Sequence, residues 1–316
     1  MLSFNDFIPL QNKSIDLLAV GELLVDMISE TYDDVVDSDT YHKFLGGSAA
    51  NIAMNAKKLG LRSQVVSAVG NDGFGTFLIR KLQEAGVPTH GVQRTPHPTS
   101  LVVVTKSKAT PVPIFYRGAD YHLSFTPQLE QAVIDSKIIH FSCWPLSMPS
   151  SRSTIERVLE LARKHNTLIG FDPNYHPMIW NEGEDGVAYV KSVIGKTDII
   201  KPSEDDAERL FGKDTPERQL EKFLRLGAKW VILTLGKAGA IVSNGSETMK
   251  IASAATDVVD TTGAGDAFWA GFYAGIVKGF SFKDAVMLGM KVSAFKLKHL
   301  GPVASFPTIE EMVANK

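Results

Sequence analysis

The chain has 316 residues, a formal net charge of −2, 44% hydrophobic and 22% charged residues, and one cysteine. This is enough chain for a large buried core and the composition of an ordinary soluble globular protein. It excludes a bulk pull toward nucleic acid or an anionic membrane, a span of about 18 apolar residues, an internal disulfide and a multi-cysteine metal site. Met1 to Ser14 shows no basic region followed by an apolar block, so the cytosol is the expected compartment.

Ile15 to Val20 predicts a buried strand bounded by Gly21, and Ser48 to Leu59 a helix stopped by Gly60. Gln64 to Val69 predicts the next strand and Phe77 to Ala85 a helix ended by Gly86. The beat returns with a strand over Lys137 to Phe141, a helix over Ser151 to His165 and a strand over Leu168 to Phe171. Asp198 to Ile200 is a short strand, Glu204 to Phe211 a helix and Trp230 to Leu235 a strand. Helices close the chain over Ala267 to Lys278 and Lys283 to Lys298, with Phe268, Phe272 and Ile276 on one core-facing stripe. Such alternation predicts an α/β three-layer sandwich with a mostly parallel central sheet.

Two stretches break the beat. Leu23 to Phe44 lacks helical periodicity, and two β runs, Leu101 to Thr105 and Ile114 to Arg117, flank a turn containing Pro111 and Pro113. They predict a discontinuous β lid over 23–45 and 95–117, set into a main domain of 14–22, 46–94 and 118–316. Edge strands of the main sheet are the alternative. Exposed lid edges favour cover by a second copy, so a homodimer through the lid is expected.

The run Asp260-Thr261-Thr262-Gly263-Ala264-Gly265-Asp266 directly precedes the Ala267 helix. Small residues let a ligand approach the backbone, and the first turn of a helix offers unpaired N–H groups at a positive dipole end. Together they make an anion cradle suited to phosphate. Asp266 there is either a plain helix cap or a general base beside an anion hole, and the second reading fits phosphoryl transfer. Other phosphate motifs fail. Gly236-Lys237-Ala238 lacks the hydroxyl of a P-loop, and Phe268 stands where a dinucleotide fingerprint needs its third glycine. No His-Arg-Asp, Asp-Phe-Gly or His-Glu-x-x-His sequence occurs.

With Gly46-Gly47-Ser48-Ala49-Ala50-Asn51-Ile52-Ala53 near the N-terminus and Asp260 to Phe272 near the C-terminus, the chain resembles the ribokinase-like (PfkB) carbohydrate kinases from Leu17 to Pro307. The resemblance implies ATP-dependent phosphorylation of a sugar, with Asp266 as catalytic base and Gly263, Ala264 and Gly265 in the anion hole. It implies sugar contacts from Asp26, Gly46, Gly47, Asn51, Arg117 and Asn174, and ATP contacts from Lys201, Ser203, Thr234, Gly236 and Gly239. Mg²⁺ is implied with the nucleotide. Ser203 and Asp206 stand at the two positions of the family's Asn-x-x-Glu motif, so Asp206 would reach Mg²⁺ through water. The competing reading of that stretch is an N-cap and acidic first turn. Asp260 and Thr262 match positions that help some members bind a monovalent cation, such as K⁺.

Gly21 to Asp26, Phe115 to Asp120 and Phe171 to Asn174 resemble fructokinases, which implies the 6-hydroxyl of D-fructose as acceptor. The 2-keto-3-deoxygluconate kinases, the alternative, must also hold a carboxylate, which favours a fixed arginine fork. Arg117 could supply one; the family's second arginine is His176 here, and Phe115 lacks a tyrosine hydroxyl. A nucleoside kinase and a non-catalytic sugar sensor are the remaining rivals.

Overall fold

The computed structural model describes residues 2–32, 38–106, 113–302 and 304–314. Strand β1 (Ile15–Val20) is buried along its whole length, as six consecutive core positions require. β2 (Leu24–Tyr32) and β3 (Tyr41–Gly46) follow, and Gly47 turns the chain into α1 (Ser48–Lys58). After β4 (Ser63–Gly70), α2 (Gly73–Glu84) starts four residues before the predicted Phe77, because the Asp72 carboxylate caps it by accepting from the Gly75 N–H at 2.8 Å. Its glycine-rich first turn carries no apolar period to reveal it.

β5 (Val92–Thr95), β6 (Leu101–Lys106) and β7 (Ile114–Tyr116) precede α3 (Pro127–Ile134), β8 (Ser136–Ser142), α4 (Pro149–Lys164) and β9 (Leu168–Asp172). Next come α5 (Gly186–Ile194), β10 (Ile199–Ile200), α6 (Glu204–Phe211), α7 (Pro216–Arg225), β11 (Trp230–Thr234), β12 (Ala240–Ser243) and β13 (Thr248–Ile251). The chain closes with α8 (Ala264–Val277), α9 (Phe282–Leu297) and α10 (Ile309–Ala314).

Among the described residues the main sheet has nine strands in the order β13-β12-β11-β10-β9-β8-β1-β4-β5. Only β12 and β13 run antiparallel to their neighbours. Alternate residues of each strand serve opposite faces, as strand geometry demands. Leu18 and Val20 of β1, with Ile139 and Phe141 of β8, pack into the core under α3 to α7. Leu17 and Ile138 point the other way, into the aromatic core of α8 and α9. The sandwich is therefore three layers deep, as predicted.

The two irregular stretches form a separate sheet of order β3-β2-β6-β7 rather than edges of the main one. β2 runs antiparallel to β3 and parallel to β6. Thr95, assigned to the lid in the sequence reading, instead closes β5 of the main sheet against Gly70. The expected turn residue Pro111 lies outside the described residues. Among those residues no helix is long and apolar enough to cross a membrane.

Candidate active site

Helix α8 starts at Ala264, three residues earlier than its apolar stripe indicates, so Asp266 lies inside the first turn. Gly263 makes this possible by adopting φ 73°, a left-handed conformation that side chains disfavour. A Cβ there would also approach the Pro302 Cα to 2.7 Å. The Ala264 N–H turns back to the Thr261 carbonyl at 3.2 Å. Ala264 thus tightens the turn instead of offering its N–H, and helix geometry leaves those of Gly265 and Asp266 without an intrahelical acceptor. The Lys201 ammonium stands 3.5 Å from where a Gly265 Cβ would be. It pairs with Asp172 at 2.9 Å, and Asp172 also accepts from the Trp269 indole at 2.8 Å.

Asp266 is gripped by α1. One carboxylate oxygen accepts from the Ser48 hydroxyl at 2.6 Å and the other from the Asn51 amide at 3.0 Å. Burial pushes its pKa up to about 6, the Ser48 and Asn51 bonds pull against that rise, and Asp172 and Lys201 add opposing charges. Asn51 keeps its own side-chain oxygen buried and without a partner, an acceptor available to a hydroxyl donor. Asp26 reaches the same region from β2, and its carboxylate lies so close to the Gly46 Cα that any side chain at 46 would overlap it. Burial first, then the Asp266 charge, raise Asp26 to about 7. Gly47 has φ 100° and stands against the Glu22 backbone. Glu22 accepts from the Ser48 N–H at 2.8 Å, and burial lifts its pKa to about 7.

The nucleotide candidates line the carboxyl ends of neighbouring parallel strands, the usual crevice of an open α/β sheet. Lys201 and Ser203 follow β10, and Ser203 bridges to Thr234 at the end of β11. Gly236 and Gly239, at φ 53° and 91°, shape the turn beyond it.

Three expectations meet a different geometry. Asp206 does not offer a free carboxylate for Mg²⁺. One oxygen forms a capping box with Ser203, and the other accepts from the Tyr175 N–H at 2.6 Å. The buried carboxylate is committed to backbone and cap, which is the competing reading of that stretch. Arg117 is no free fork. Its guanidinium bonds Asp120 at 3.0 and 2.5 Å, Ser147 at 2.6 Å, and the carbonyls of Ile179 and Trp144 at 3.1 and 3.5 Å. Those bonds engage all five donors of the group. Asn174 is exposed, with φ 36°, and its carbonyl accepts from the Cys143 thiol at 3.3 Å. Neither Arg117 nor Asn174 bonds the Asp266 cluster. His176 packs edge-on against Phe115, with ring centres 5.2 Å apart.

Asp260 and Thr262 do come together, the Thr262 N–H donating to Asp260 at 2.9 Å. Glu22, Ser48, Asp172 and Lys296 also belong to this cluster, and no motif singles them out. Ser48 was recoverable, because it sits three residues before Asn51 on one helix face. Lys296, a charge within the predicted Lys283 helix, gave no sign of facing inward.

The pfkB family carbohydrate kinase model matches residues 14–309. The chain belongs to that family. It is 56% identical over 310 residues to an ATP-dependent 6-phosphofructokinase of Thermoanaerobacterium thermosaccharolyticum, covering 98% of this chain and 96% of the relative. The Halothermothrix orenii fructokinase structure superposes with a TM-score of 0.79 at 36% identity, covering 93% of this chain and 100% of that one. A Vibrio cholerae fructokinase double mutant with fructose, ADP and potassium ion bound superposes with a TM-score of 0.82 at 26% identity, covering 96% and 99%. This PfkB kinase is accordingly an ATP-dependent sugar phosphotransferase with the ribokinase-like fold.

Proposed function

We propose that this kinase phosphorylates a fructose-based sugar, with fructose 6-phosphate as substrate and its 1-hydroxyl as acceptor. The catalytic part rests on one observation: a buried carboxylate, Asp266, held by Ser48 and Asn51 at the start of α8. The choice of sugar rests on the near-full-length relationship to the 6-phosphofructokinase. D-Fructose itself, accepting at its 6-hydroxyl, is the second reading, favoured by the fructokinase likeness. A ketoacid such as 2-keto-3-deoxygluconate fits less well, because the Arg117 donors are already engaged.

Asp26 and the free Asn51 oxygen accept from sugar hydroxyls, and Gly46 and Gly47 let the ring approach the backbone. Asp266 takes the proton of the primary hydroxyl as its oxygen bonds to the γ-phosphorus. The bond from that phosphorus to the β-phosphate oxygen breaks, and ADP leaves. The Gly265 and Asp266 N–H groups and Lys201 meet the charge on the transferring group. Thr234, Gly236, Gly239 and Ser203 border the nucleotide. Mg²⁺ brought with the nucleotide would supply charge neutralisation at the phosphates. The β2-β3-β6-β7 sheet acts as a lid that excludes water. Exposed Phe44, Ile114 and Tyr116 on it favour a homodimer through that sheet. An ATP-consuming enzyme of this kind fits the cytosol.

An ADP-coupled assay over fructose 6-phosphate, fructose and 2-keto-3-deoxygluconate tests the reading. The highest kcat/KM should fall to fructose 6-phosphate, and preference for the ketoacid would overturn the assignment to fructose-based sugars.

A further inference from the structure

The Lys296 side chain, near the end of α9, has 0% exposure to solvent. A bare ammonium in a protein interior carries a desolvation penalty of several kcal/mol, so its partners reveal its purpose. Its hydrogen-bond and ion-pair partners belong to Asp260, and the Asp266 charge also acts on it. The ammonium donates to the Asp260 carbonyl at 2.8 Å and stands 3.6 Å from a carboxylate oxygen of the same residue. Other groups of α9 hold the same loop. The Leu297 carbonyl accepts the Val259 N–H at 2.7 Å, and Ser293 donates to the Ala264 carbonyl at 2.9 Å. The Asp260 carboxylate accepts from the Thr262 N–H at 2.9 Å and the Gly301 N–H at 2.8 Å, and its own N–H donates to the Leu297 carbonyl at 3.2 Å.

Asp260 and Thr262 are the residues expected to help bind a monovalent cation. An alkali ion needs oxygens that nothing else has taken. Here one such oxygen already accepts a fixed positive charge at 2.8 Å. A second cation on that carbonyl would face like-charge repulsion at contact distance in a poorly solvated setting. These residues do not fit a free K⁺.

We propose that the Lys296 ammonium is a built-in replacement for the monovalent cation, so that phosphoryl transfer in this chain does not depend on K⁺. Lys296 is a positioning residue. Its charge gathers the Asp260 carbonyl on one side of the 260–263 loop, which leaves the Gly265 and Asp266 N–H groups for the phosphate. The proposal rests on the kinase reading for its effect on turnover, and on the structure alone for ion binding.

The test uses the full chain in tetramethylammonium buffer, with KCl or RbCl added at constant ionic strength. For the wild type, turnover and melting temperature should not respond to K⁺, and crystals soaked in RbCl should show no anomalous peak at Asp260. Lys296→Met should lose roughly 10²-fold in kcat without K⁺, the size of effect seen when anion-hole preorganisation is removed. K⁺ should restore most of that rate and raise the variant's melting temperature, and rubidium should appear at Asp260. A wild type strongly activated by K⁺, or rubidium bound at Asp260 in it, overturns the proposal. So does a fully active, K⁺-indifferent Lys296→Met. If the variant does not fold, the wild-type ion response still decides. Melting and diffraction need no sugar, so a wrong sugar would abolish turnover and leave the ion result intact.

Discussion

Asp266 combines two demands on one side chain. As the proposed base it must be buried to act beside a desolvated phosphate, yet ionised to accept a proton. Burial raises its pKa to about 6, and the Ser48 and Asn51 bonds keep it from rising further. The acid limb of kcat/KM should therefore fall below about pH 6. Ser48→Ala removes a bond that favours the charged form, so that limb should move to higher pH. An unmoved limb would show that Ser48 does not tune the base. Asp266→Asn should lower kcat by at least about 10³-fold, as removal of a general base and its placement does. Glu22, Asp26 and Asp266 titrate near 7, 7 and 6 when folded, above ordinary values of 4.5 and 3.8. Carboxyls with raised pKa favour the folded state when protonated, and that contribution is lost as pH climbs through this window. Melting scans should thus find Asp266→Asn more stabilised over wild type at pH 8 than at pH 5, since only the higher pH leaves the native carboxylate charged and buried. An equal gain at both values would contradict this linkage.

At the scale of elements, the site depends on how closely α8 meets α9. Gly275 admits Ala285, whose Cα would lie 2.8 Å from an added Cβ, and Gly271 faces Val292 in the same way. The apolar faces expected from Phe268, Phe272 and Ile276 are there and buried. The glycines between them set the interhelix distance, and through Ser293 and Lys296 they set the position of the turn before Asp266. Gly275→Ala should cost about 1–3 kcal/mol by overpacking, read as a lower urea midpoint with unchanged slope. A neutral result would mean that α9 can retreat without loss.

Across the whole molecule, two sheets frame the site, and the chain passes from β1 into β2 and from β3 into α1 at Glu22 and Gly47. Those two crossings flank Asp26, Gly46 and Asn51, the residues proposed to hold the sugar. Motion of the small sheet against the large one would open and close the site without moving Asp266. If the exposed apolar residues of the small sheet make the proposed dimer, sedimentation velocity at micromolar concentration should show it. A monomer there would remove the partner from the lid and leave the chemistry untouched.

What the sequence determined by itself was local. Unbroken apolar runs located β1 and β9, and helical periodicity located α1, α6 and the closing helices, because strands buried on both faces and helices buried on one leave those two signatures in the chain. The two glycine motifs marked the turns that hold Asp266 and Asn51, since glycine at such turns has a backbone reason to be there. The antiparallel β12 and β13 stayed hidden, because strands of four residues carry too little pattern. Only the tertiary structure decided which polar groups were still available. It engaged the Arg117 donors with Asp120 and Ser147, folded Asp206 into a helix cap, and brought Lys296 to Asp260 from thirty-six residues away. Spacing along a chain states which groups exist. Whether a carboxylate or an ammonium is free for a ligand depends on its partners in space.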